Sequence, residues 1–253
     1  MRVMRTIAVA FSMFSAVPMP QFEWDEESLR YMLVAFPLVG VLVGTLMWGW
    51  LELAATLGVS QFVRALVLTA MPPLVTGGIH LDGFCDTWDA LSSHQEPKRM
   101  RQILKDPHIG AFGVIHLVLL LLATYVLWLE LPQVNGLAMV LGFALSRALA
   151  GYSVAAFPIA EGDGLARTFA EGSNRRNVRR FCAILSVAVS AGLVACGAWP
   201  MVACALGAFV WYRAGVVRRF GGLSGDLSGW FVQTCELWML VALYLHTLLG
   251  VVA

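Results

Sequence analysis

The stretch TGGIHLDGFCDTWDALSSH, Thr76 to His94, decides how the chain is read. It begins where an apolar run ends, and it then places Asp82, Asp86 and Asp89 within eight residues. At about 100° per residue, Asp86 falls about 40° from Asp82 and Asp89 about 20° to the other side. The three carboxylates therefore share one face of a helix at the mouth of a membrane segment. Aspartate is a poor helix former, so propensity does not explain the row. Anionic lipid at a cytoplasmic surface would repel it. Hard oxygen ligands in this pattern suit Mg²⁺, or Mn²⁺. Such an ion polarises phosphate oxygens and orients an in-line displacement. Gly83 keeps the helix slim beside the first carboxylate. The plain alternative is a solvated acidic face. A zinc site on His80, His94 and His108 is a third reading, but no His-Glu-x-x-His spacing is present and the aspartates favour a harder ion.

The surroundings are greasy. Of 253 residues, 59% are apolar and 13% charged, against about 25% charged in a soluble domain. Mean hydropathy is +0.75. This composition excludes an ordinary soluble enzyme and predicts a single all-α, polytopic membrane domain over residues 1–253. The net charge of +1 gives no reason to expect nucleic acid as a partner. The five cysteines are odd in number and contain no Cys-x-x-Cys, which argues against a disulfide framework.

Apolar stretches near 31–53, 62–79, 112–130, 136–157, 181–197, 200–217 and 229–251 predict seven spans. The second is short and contains Pro72 and Pro73, so it is expected to be kinked or broken. The N-terminal MRVMRTIAVAFSMFSAVPMP has the look of a signal peptide without a clean cleavage site, and it is read as a retained interfacial or re-entrant helix. All but two of the 17 basic residues fall in the N-terminal segment or in the loops after the second, fourth and sixth spans. Positive-inside places those loops and the N-terminus in the cytoplasm. The two exceptions are Arg64, near an outer end where it can snorkel, and Arg147, in mid-span. A mid-membrane charge has a partner or lines a polar cavity. Glu236 of the last span is the candidate partner, and the pair is either structural or one wall of a substrate cavity.

The loop after the aspartates, PKRMRQILKDPHIGAFG, supplies Lys98, Arg99, Arg101, Lys105 and Asp106, then Gly110 and Gly113. Bases beside a metal site fit a phosphate ester. AEGDGLARTFAEGSNRRNVRR mixes glycines with Glu161, Asp163, Arg167 and Glu171. RRFGGLSGDLSGW places Gly222, Gly225 and Asp226 before the last span, where a glycine turn can hold phosphate on backbone N–H groups. Asp226 is read as a helix N-cap or as a further ligand. The residues together describe metal-dependent phosphoryl transfer on a partly membrane-embedded substrate.

From VPMP and FPLVG through GGIHLDGFCDTWDA, RMRQILKDPHIGAFG and EGDGLARTF to GGLSGDLSGWFVQTCE, the chain resembles the cobalamin synthase (adenosylcobinamide-GDP ribazoletransferase) family. The resemblance implies a reaction between adenosylcobinamide-GDP and α-ribazole or its 5′-phosphate, with release of GMP and a need for Mg²⁺. It implies Asp82, Asp86 and Asp89 as metal carboxylates. Asp106 and His80 join Asp89 as candidate bases, and Lys98, Arg99, Lys105, Arg147, Gly222, Gly225, Asp226 and Glu236 are candidate substrate contacts. It also implies a multi-pass place in the bacterial inner membrane with the site facing the cytoplasm. A homo-oligomer and other enzymes of the pathway are further candidate partners. Pro107 and His108 stand where the family usually has Ser-Arg. A CDP-alcohol phosphotransferase and a transporter are competing classes. The first lacks its Ala-Arg and its second Asp motif here. The second would place its polar residues at mid-membrane and not at one face.

Overall fold

The computed structural model describes residues 2–20, 30–131, 134–160 and 174–250. Glu161, Asp163, Arg167 and Glu171 lie outside them. Regular structure among the described residues is helical, apart from one isolated bridge between Ile159 and Leu223.

A short helix, α1 (Arg2–Phe14), comes first. At 13 residues it is too short to span. It buries Ala8, Val9 and Ala10 and leaves Val3 and Met4 exposed, as a helix lying in an interface does. Among the described residues, six helices are long and apolar enough to cross a membrane. They are α2 (Met32–Thr56), α6 (Ala111–Glu130), α7 (Gly136–Ala156), α8 (Arg175–Ala195), α9 (Trp199–Phe220) and α10 (Gly225–Leu248). The chain is thus an all-α, multi-pass membrane protein.

The expected second span is a bent pair, α3 (Gln61–Thr76) and α4 (Ile79–Ser92), turning by 94°. The bend is not at the prolines. Pro72 and Pro73 lie inside α3, and the chain turns at Gly77 and Gly78, with φ of 66° and 77°. Two successive left-handed residues end a helix sharply and suit glycine.

The most buried span is α7. It packs on α2 through Gly40 and Gly44, the ends of a Gly-x-x-x-Gly run. A Cβ at Gly40 would lie 2.2 Å from the Phe143 carbonyl oxygen, and one at Gly44 2.5 Å from Val140 Cα. Without a hydrophobic driving force between helices in lipid, such close backbone approach supplies the contact.

The loops rich in arginine and lysine meet at one end of the bundle. Arg101 donates to the Phe220 carbonyl at 2.7 Å. Arg175 donates to the Ala155 and Phe157 carbonyls, each at 3.2 Å. The Ala160 N–H donates to Leu223 at 2.9 Å and the Asn174 N–H to Arg30 at 3.2 Å. Arg64 sits elsewhere and donates to the Leu131 carbonyl, at the far end of α6, at 2.8 Å.

Candidate active site

The arm α4 carries all three aspartates. Asp82 is exposed; Asp86 and Asp89 are half-buried. The first turn of α10 comes down beside them because Gly83 admits it: a Cβ there would stand 2.6 Å from the Asp226 carbonyl oxygen and 2.8 Å from its Cα. One turn further on, Gly229 packs on the backbone of His80, where a Cβ would lie 3.2 Å from its Cα. Asp226 is thereby held against the aspartate face. It is not the N-cap, because the Ser224 hydroxyl accepts the Leu227 N–H at 3.1 Å and fills that role. Asp86 lies in the combined field of Asp82, Asp226, Asp89 and Asp106.

Asp89 makes contacts that the other two aspartates do not. Its two oxygens accept the N–H groups of Gly110 at 2.7 Å and Gly113 at 2.9 Å. These are orphan donors at the start of α6, and a carboxylate satisfies them with favourable charge. A Cβ at Gly110 or Gly113 would come within 2.3 Å or 2.5 Å of that carboxylate. The two glycines therefore serve the clamp. Trp88 adds to it by stacking on His116 of α6, ring centroids 3.9 Å apart.

His80 falls on the opposite side of α4 from Asp82, two residues or about 200° away. It is 4% exposed and packs on Phe36, so it supports the arm from behind and does not face the carboxylates. Asp106 is exposed and accepts the His108 ring Nδ1–H at 2.9 Å and the His108 N–H at 3.0 Å. Those bonds, the ring one foremost, hold its carboxyl below the ordinary range. A carboxylate so stabilised is a weak base. Pro107 and His108 thus make a local turn around Asp106.

Lys98 and Arg99 are exposed on the short helix α5 (Pro97–Ile103), and Arg99 donates to Gln102 at 2.9 Å. Lys105 is exposed just beyond that helix. Arg101, one of the loop's bases that fit a phosphate ester, ties α5 to the turn before α10. That turn is tight: a Cβ at Gly222 would lie 2.4 Å from the Ala160 nitrogen, whereas one at Gly225 would meet nothing.

Arg147 and Glu236 do pair, but inside the bundle. Arg147 is fully buried, and its guanidinium donates to Glu236 and, at 3.1 Å, to the Phe143 carbonyl. Ser146 donates to the same Glu236 oxygen at 2.9 Å. The adjacent cavity, lined by Thr69, Pro72, Leu81, Gln233 and Glu236, has a volume of about 70 Å³. In this structure the pair borders a small cavity, and its hydrogen bonds run to residues of the packed bundle.

Whether a divalent ion fits can be judged from the donors. They are all oxygen, they crowd like charges together, and neither Asp82 nor Asp86 has a basic partner among the described residues. No three His, Cys, Asp or Glu side chains among the described residues stand in position to enclose an ion by themselves. A divalent ion bound here would need further ligands, of the kind that Mg²⁺ takes from substrate phosphates and water.

Fold and site together define a multi-pass membrane protein with an acidic centre at one end of its helical bundle. Residues 6–244 match the family model described as cobalamin-5-phosphate synthase, and the chain belongs to that family. An adenosylcobinamide-GDP ribazoletransferase of Lachnoclostridium phytofermentans is 35% identical, over 94% of this chain and 92% of its own. Relatives of the same name in Ectopseudomonas mendocina and Geobacillus kaustophilus are 35% and 30% identical, each alignment covering at least 94% of both chains. No solved structure matches. Membership makes the protein a transferase of the phosphotransferase type, acting in assembly of the cobalamin nucleotide loop. It sets aside the CDP-alcohol phosphotransferase and the transporter.

Proposed function

We propose that the chain joins adenosylcobinamide-GDP to α-ribazole or its 5′-phosphate at the α4–α10 carboxylates, with Mg²⁺ held by Asp82 and Asp86. The supporting observation is the approach of the first turn of α10 to α4 at Gly83, which adds Asp226 to an acidic face open to solvent at Asp82. Mn²⁺ has the same donor preference. When bound, the ion neutralises charge on the diphosphate and polarises the phosphorus under attack.

The chain's own residues do the rest. Asp82 and Asp86 would hold the ion and, through it, set where the diphosphate lies. Asp226 borders that position from the neighbouring helix. Lys98, Arg99 and Lys105 offset the charge of the guanylyl group as it departs. Asp89 acts indirectly, by setting the α4–α6 geometry. A ribose hydroxyl oxygen of the acceptor bonds to the phosphorus that carries the cobinamide. The bond from that phosphorus to the bridging oxygen breaks, GMP leaves with the electron pair, and the hydroxyl proton passes to water at the open side. With His80 turned away and Asp106 a weak base, positioning and charge neutralisation carry catalysis. The arginine-rich end of the bundle, which holds the site, faces the cytoplasm of a bacterial inner membrane by the positive-inside rule.

The test is release of GMP from adenosylcobinamide-GDP and α-ribazole 5′-phosphate by protein in liposomes, with Mg²⁺ or with chelator. Asp82→Asn and Asp86→Asn are each expected to lower the rate by about 100-fold or more without lowering the thermal midpoint. Metal-independent turnover, or full activity in both variants, would refute the assignment.

A further inference from the structure

A second cavity, of about 470 Å³, opens between the end of α7 and the end of α9. The reaction scheme above leaves it unused. Phe157, Pro158, Arg213, Arg218 and Gly222 are among its lining residues.

Residues Tyr212–Val217 of α9 form a π-helix. In an α-helix, Arg213 and Arg218 would stand about 140° apart around the axis. Hydrogen bonds from i to i+5 widen the turn and so narrow that angle. Arg218 follows directly on the π segment, and both arginines line the cavity. The Arg213 guanidinium lies over the Phe157 ring, 5.4 Å from its centroid, which fixes its plane and leaves its N–H edge for a ligand. Neither arginine has a carboxylate partner among the described residues. Four chain steps separate Gly222 from Asp226, a span of at most about 14 Å. The cavity thus adjoins the carboxylate centre across one turn. Two planar guanidiniums on one cleft match the geometry of a phosphate group.

We propose that this cleft is a phosphate subsite of the transferase, taking the phosphomonoester of a nucleotide. The proposal rests on the ribazoletransferase reading. The same chemistry is carried by the 5′-phosphate of the acceptor and by the departing GMP. Each source gives its own result.

The variants are Arg213→Gln, Arg218→Gln and the pair, in liposomes of neutral lipid and of lipid with added phosphatidylglycerol. Both side chains are exposed, so folding should survive, which the thermal midpoint checks. If the cleft holds the acceptor phosphate, KM for α-ribazole 5′-phosphate rises about tenfold or more and KM for α-ribazole is unchanged. If it holds the leaving nucleotide, inhibition by GMP weakens by a similar factor and inhibition by guanosine is unchanged. Equal effects on the phosphorylated and unphosphorylated compounds, or none, would overturn the subsite. So would an effect that appears only with phosphatidylglycerol, which would mark a lipid headgroup site. Calorimetric titration of GMP and of α-ribazole 5′-phosphate into wild type and the double variant makes the same comparison without turnover. If the wild type binds a phosphorylated ligand but does not turn over, the reaction assignment fails and the subsite stands. If neither ligand distinguishes the two proteins, the subsite fails.

Discussion

Asp89 shows how three residues of one type, on one face, divide their labour. Asp82 and Asp86 have no basic partner among the described residues, while both oxygens of Asp89 serve the start of α6. Asp89→Ala should therefore behave as the loss of a helix cap, costing about 0.5–2 kcal/mol. Its thermal midpoint should fall, in contrast to Asp82→Asn. Lowering of activity alone, with the midpoint unmoved, would return Asp89 to the catalytic set. Spacing alone predicted the shared face, because helical periodicity needs only the sequence. The division of labour needed the partner. Gly110 and Gly113 lie more than 20 residues away from Asp89, and nothing local announces that their amides will meet it. His80 illustrates the reverse: it is adjacent to the motif in sequence, yet the same periodicity that groups the aspartates turns it away from them.

At the scale of elements, spans were legible because each hydrophobic run is a property of a single segment. Breaks were less so. The second span is broken as expected, but Pro72 and Pro73 stay helical, since a helix tolerates proline where neighbours satisfy the freed carbonyls. The turn came instead at Gly77–Gly78, where positive φ is needed twice. The Gly-x-x-x-Gly run of α2 is the other lesson: it is visible in the sequence, and its meaning appears once Phe143 and Val140 lie against it. Gly40→Ala should cost about 1–3 kcal/mol through overpacking. Gly49→Ala, on the same helix, where a Cβ meets nothing, should be neutral or mildly stabilising. Thermal midpoints in detergent would compare them, and equal midpoints would refute the close-packing account.

For the molecule as a whole, alternation of basic and uncharged loops foretold which ends would gather, and the contacts of Arg101, Arg175 and Asn174 agree. The Arg147–Glu236 pairing was also legible, since two isolated charges in a greasy chain have few other choices. Its role was not, because cavity size depends on how every helix packs. As a structural pair, Arg147→Met should destabilise by about 3–5 kcal/mol, with Glu236→Leu added to it restoring most of the loss. KM should be unchanged wherever the single variant folds. A raised KM at an unaltered midpoint would contradict this. The same pair has a consequence for biosynthesis. A chain emerging from the ribosome presents α7, with its arginine at mid-helix, long before α10 has been made. A lone arginine at that depth costs about 2.5–3.5 kcal/mol on insertion scales. Until the last helix arrives, α7 is held in the bilayer by its neighbours alone. Chains truncated before α10 should consequently show α7 incompletely inserted and exposed to proteolysis, and Arg147→Met in the truncated chain should cure it. The final helix, which also brings Asp226 to the site, would then act as a checkpoint that only full-length chains pass.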